Sequence, residues 1–184
     1  MEKGTLAFFA VFWYHIYMSI YDLLKKRISV RKYLPGGVEI EVIRRIMEGV
    51  NISPSARNLQ PWHFIVITDQ KLKDDLFPDR KWAAEAPYVV VACGDESQAW
   101  VRPTDGKNHV DIDIAIAMEN LVLLATEEGL GSCWICYFDP DAVTRVLDLP
   151  KNLKPIAMTP LGIPAINEDK PHVRKELSDI VEWR

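Results

Sequence analysis

The chain has 184 residues, 22 lysines and arginines against 26 aspartates and glutamates, and a net charge of −4 at neutral pH. That length suits one domain with a sizeable core, and 48% hydrophobic content is ordinary for a globular protein. No block of five or six like charges occurs, which argues against nucleic acid as a partner, because phosphate neutralisation needs a clustered basic surface.

The N-terminal stretch TLAFFAVFWYHIYMSI, residues 5–20, is apolar apart from His15 and Ser19. It falls short of the ~20 residues that span a bilayer. It also lacks the basic start and small-residue cleavage site of a signal peptide. Three readings stay open: an extra helix packed on the body or a partner, a membrane-surface anchor, or an extension upstream of a natural start at Met18.

SIYDLLKK then has the spacing of a short amphipathic helix, with Ile20, Leu23 and Leu24 on one face. Pro35, Gly36 and Gly37 break the run that follows. Residues 39–50 repeat the helical spacing through Ile40, Ile43, Ile46, Met47 and Val50. SPSARNLQP is a polar loop between prolines, and WHFIVIT is a buried strand by composition. A short helix near Lys71 to Leu76 leads to a second buried strand, YVVVACG. Residues 95–108 carry Trp100, Pro103 and Gly106 and form a long loop, a type that often serves as a lid or binding element.

Residues 111–128 make the strongest helix, with Ile114, Met118, Leu121 and Ala125 at helical spacing and apolar residues on the other side too. A helix apolar nearly all round belongs in a core or an interface. Gly129 ends it, because glycine accepts the left-handed conformation there. SCWICYF is expected as a third strand, followed by a helix capped by Asp139 with Pro140 in its first turn. IAMTPLGIP is a fourth strand, and LSDIVEW could pair as a last one.

The CxxC of Cys133 and Cys136 invites a dithiol reading. A catalytic dithiol sits at a helix N-terminus after a strand, where the helix lowers the thiol pKa. Here the pair follows a helix, and positions i and i+3 on a strand face opposite ways. Three cysteines, counting Cys93, argue against a disulfide framework and for a reducing, cytoplasmic setting. No second Cys/His pair completes a zinc site. GLGSCW fails as a dinucleotide fingerprint, since Trp134 holds the third glycine position and a helix precedes it.

RISVR places Arg27, Ser29 and Arg31 on one side of an extended segment, which suits a phosphate or an electron-rich ring; a solvated basic turn explains the pattern as well. Taken in order, RISVRKY, SPSARNLQPWHFIV, DIAIAMENLVLLATEEGLGSCWI, LGIPA and HVRKEL resemble the nitroreductase family of FMN-dependent oxidoreductases, from about Ile20 to Trp183.

The resemblance implies an α+β fold, a mixed sheet flanked by helices. It further implies an intertwined homodimer with the long helix in its interface and FMN shared between subunits. Residues 18–184 would then be one FMN-binding domain, with residues 1–17 an extension. Arg27, Ile28, Ser29 and Arg31 match the family's first cofactor segment, the arginine and serine at the phosphate and Arg31 near the pyrimidine edge. Pro54, Ser55, Asn58 and Gln60 match the segment reaching the flavin from the opposite subunit. Backbone groups of Trp134, Ile135 and Cys136 match the segment against the ring, and His172 and Arg174 match further phosphate contacts. Ile28 and Cys136 depart from the family's usual residues at their positions.

The implied activity is ping-pong: NADH or NADPH gives hydride to FMN, and a nitroaromatic, quinone or similar acceptor takes the electrons. No side chain is an obligatory acid, and Arg31 is expected to stabilise charge on the reduced ring. Two alternatives stand: a flavin-binding or membrane-associated partner protein with little turnover, or a specialised family reaction such as reductive dehalogenation.

Overall fold

The computed structural model describes residues 18–165 and 173–184. The apolar N-terminal stretch up to residue 17, and His172, lie outside the described residues.

Two long helices and a central strand organise the molecule. Strand β2 (Tyr88–Asp95) is buried along its whole length. It pairs antiparallel with β1 (Trp62–Ile67) on one side and with β4 (Leu153–Gly162) on the other. Strand β3 (Gly131–Ser132) completes the order β1-β2-β4-β3. All strand pairs are antiparallel; the parallel component is one bridge, Ser29 with Ser132.

β2 alternates its side chains between two cores, as a pleated strand must. Tyr88, Val90 and Ala92 pack under helices α2 (Ile40–Asn51) and α5 (Val110–Glu127). Val89, Val91 and Cys93 face the other way, toward α3 (Gln70–Leu76), α4 (Lys81–Ala84) and α6 (Pro140–Val146). This is the expected α+β layering, a sheet with helices on both faces.

α5 buries Ile114, Ala117, Met118, Leu121 and Ala125. Gly129, at φ 75°, ends it: its N–H donates to the Thr126 carbonyl and the Leu130 N–H to that of Ala125. These are the two bonds of a Schellman motif. Arg45 of α2 makes a two-pronged pair with Glu128 at 3.0 and 2.9 Å, tying the two helices together.

Helix α1 (Ile20–Lys26) is capped by Ser19. It buries Leu23, whereas Ile20 and Leu24 of the expected apolar face are exposed within the chain.

Two expectations are corrected. SCWICYF is not a continuous strand. The β3–β4 register runs Gly131 with Gly162 and Ser132 with Leu161, and it reappears at the Ile135–Met158 bridge. Between them the partner position holds Pro160, which has no N–H to give. The Thr159 hydroxyl fills the gap, accepting the Cys133 N–H at 3.2 Å and donating to the Pro160 carbonyl at 3.1 Å. LSDIVEW pairs with no strand among the described residues of its own chain; it forms a 3-10 turn at Leu177–Asp179.

Among the described residues no helix is long and apolar enough to cross a membrane, and no cluster of His, Cys, Asp or Glu could hold a metal.

Candidate functional site

Four segments of the chain meet at one groove of about 450 Å³, lined by Leu24, Arg27, Glu119, Val122, Trp134 and Arg174. Arg27 sits there because it is the C-terminal cap of α1. Trp134 sits there because the ladder breaks beside it, and its indole N–H donates to the Cys136 sulfur at 3.0 Å. Arg174 arrives from the C-terminal segment and donates to the Val173 carbonyl at 2.8 Å. Among the described residues the lining carries two guanidiniums and one carboxyl, that of Glu119, and the indole supplies an aromatic wall. A phosphate ester carrying a flat ring fits that donor set, and the volume lies within the usual range for a small-molecule site.

The segment after α1 is held flat against the sheet. The Val30 N–H donates to the Ser132 carbonyl at 2.8 Å. Val30 is buried, and Ile28 packs against the same small cluster with Tyr33 and Ala86. Arg27 is half-buried, and Ser29 and Arg31 are exposed. Ser29 and Arg31 do not line the groove; the Arg31 guanidinium lies 5.9 Å over the Trp82 ring.

The loop of residues 53–60 is a separate feature. Pro54, Asn58 and Gln60 are exposed, Ser55 is half-buried, and none of the four lines the groove of its own chain. Its backbone is strained: Arg57, Asn58 and Gln60, none of them glycine, have φ of 53°, 56° and 51°. Such a cluster costs of order 1 kcal/mol or more per residue and needs restraint from outside. Restraint comes from α5, where Asn120 donates to the Ser53 hydroxyl at 2.8 Å and Asp113 accepts the Ala56 N–H at 2.9 Å. Within the loop, the Gln60 N–H donates to the Ser55 hydroxyl at 2.9 Å.

Ile135 is buried, and both of its backbone groups are bonded to Met158. Cys133 is buried and Cys136 exposed, both as free thiols. Burial pushes the third thiol, Cys93, up to about 11.

Sequence reasoning did not single out Glu119, Asp113 or Asn120. The signal available was polar residues interrupting an otherwise apolar helix, which is costly unless each has a job.

A cleft of about 480 Å³ lies elsewhere, between Phe77, Arg80, Tyr137, Phe138 and Val143. It holds none of the residues picked from the sequence. The carboxyls of Asp75, Asp79 and Asp139 on its rim make it a poor seat for an anion.

The model of the nitroreductase family matches this chain at residues 24–81 and 76–163. A solved nitroreductase family protein from Clostridium difficile 630 is 36% identical, with a TM-score of 0.83 over 90% of this chain and 98% of that one. The NADH dehydrogenase of Thermus thermophilus is 30% identical over 86% of this chain and 93% of its own length. An iodotyrosine deiodinase from Thermotoga neapolitana is 27% identical over 79% of this chain and 88% of its own.

Proposed function

The chain belongs to the nitroreductase family, and from that premise we propose that it is an FMN-dependent NAD(P)H oxidoreductase acting on a nitroaromatic, quinone or similar small acceptor. The observation that carries this reading is the meeting of Arg27, Trp134 and Arg174 in one groove. When bound, FMN would supply a ring able to take hydride and return electrons.

The chain's own part is binding and orientation. Arg27 and Arg174 hold the phosphate, and Trp134, fixed by its bond to Cys136, walls the ring. Arg31 is to serve the ring's pyrimidine edge, which requires it to leave Trp82; an exposed cation–π contact of about 0.5–1 kcal/mol does not prevent that. Residues 18–184 act as one domain in this reading, and the cytoplasm suits its free thiols.

Each site is completed by the 53–60 loop of a second copy. Two facts support this: Asn58 and Gln60 are exposed and do not line the groove of their own chain, and α5 leaves Ile112 and Ile116 exposed at 40% and 37%. Apolar exposure of this kind on a core helix favours a partner.

A second reading rests on the deiodinase relatives: reductive removal of halogen from a halogenated phenol at the same site. Purified protein is incubated with FMN, then with NADH or NADPH, and screened on nitroaromatics, quinones and halogenated phenols. Arg27→Ala should weaken FMN binding about tenfold to a hundredfold, the cost of losing a charged hydrogen bond. Wild-type affinity in that variant would remove Arg27 from the site.

A further inference from the structure

Asp113 sits on α5 at 1% exposure. One carboxyl oxygen accepts the Ala56 N–H at 2.9 Å; the other is buried and has no partner among the described residues. A carboxyl stripped of water and left half-satisfied weakens a core. It is not there for packing. Its one side-chain bond among the described residues ends on the residue preceding the strained turn of Arg57, Asn58 and Gln60.

We propose that Asp113 is the positioning residue of the cofactor-completing loop. By accepting the Ala56 N–H it anchors the left-handed turn, and so sets Asn58 and Gln60 outward in the geometry that a flavin in a neighbouring copy requires. The proposal rests on the flavin reading for its purpose, and on the Asp113–Ala56 bond for its mechanism. Asn120, seven residues further along α5, holds the loop's other end through Ser53. The turn is therefore suspended between two points of one helix, and Asp113 is the point nearer the strain.

The loop carries its own reporter, because Arg57 is exposed and trypsin cleaves after arginine. Asp113→Leu keeps the branched outline at a larger volume and removes the acceptor; Asp113→Asn keeps the volume and an acceptor oxygen. In the flavin-free full chain, Asp113→Leu should be cut after Arg57 about tenfold faster than wild type, and Asp113→Asn at a rate within about twofold of it. The FMN dissociation constant should follow the same order, raised about tenfold by leucine and restored by asparagine. Cleavage of Asp113→Leu at the wild-type rate overturns the proposal, and so does equal lability of the two variants. If wild type binds no FMN, the flavin assignment fails, while the flavin-free cleavage rates still decide the role of Asp113. Should Asp113→Leu not fold, amide exchange at Ala56 decides instead: slow exchange in both wild type and Asp113→Asn supports the anchor, and fast exchange in wild type overturns it.

Discussion

A methyl group added at Gly131 is the sharpest probe of how the groove is built. Its Cβ would lie 2.8 Å from Cβ, Cγ1 and Cγ2 of Val30. Carbon atoms in contact prefer about 3.5–4.0 Å, and one of the three is bonded directly to the backbone, so a rotamer change cannot clear it. Residues 29–31 must move outward, stretching the 2.8 Å bond from the Val30 N–H to the Ser132 carbonyl. Overpacking costs about 1–3 kcal/mol and a weakened hydrogen bond about 1 more. Reduced freedom of the unfolded chain returns about 0.4–1 kcal/mol. Gly131→Ala should therefore lose about 1–3.6 kcal/mol, a fall in Tm of roughly 2–14 °C for a chain of this size. FMN affinity should fall with it, because Arg27 and Trp134 stand on the two segments being pushed apart. Denaturant unfolding and fluorescence titration read the two effects. Gly37→Ala is the control, since its added carbon meets nothing within 4 Å. In a Val30→Ala background two of the three clashes vanish, and the cost of Gly131→Ala should shrink by at least about 0.5 kcal/mol. Wild-type stability of Gly131→Ala, or strict additivity with Val30→Ala, would refute the close approach.

Three other outcomes follow from the packing. A thiol reagent applied to the native protein near pH 8 should label Cys136 alone and alter tryptophan fluorescence, since Cys133 is buried and Cys93 titrates near 11; fast labelling of two thiols would contradict this. Asp95 is held below the usual carboxylate range by donors from Ser97, Asn152 and Gln98. Its stabilising effect is therefore full above its unfolded pKa of about 3.9 and is lost as pH falls further. The stability gap between wild type and Asp95→Asn should stay constant from pH 7 to about pH 5 and narrow below about pH 4; a gap that widens in acid would refute the assignment. Sedimentation at micromolar concentration should give a dimer, and a stable FMN-loaded monomer would end the shared-site reading.

Much of the fold was legible because burial and periodicity agreed. YVVVACG read as a buried strand and is covered on both faces. The helix stopped at Gly129 is the second case, and the Asp139–Pro140 start of α6 the third. Where the sequence reading failed, the deciding contact was tertiary. β-rich composition made SCWICYF look continuous, but its ladder partner is set by β4 and falls on Pro160. For the site, Arg27, Trp134 and Arg174 were picked out and do share a groove, whereas Glu119 joins them only through the rotation of α5. Asp113 stands out only as a polar break in an apolar helix, and pattern could not name its partner, a backbone amide 57 residues away.

The proline in β4 also bears on how this sheet meets other chains. An edge strand is a row of unpaired donors and acceptors onto which another strand can add. On the β3 side that row is two residues long, is interrupted by the proline, and is already covered at Ser132 by Ser29 and Val30. Growth of the sheet in that direction has no template. The six residues of β1 form the longer outer edge among the described strands. Misassembly of partly unfolded copies should start there, on the side of the sheet away from Arg27 and Trp134.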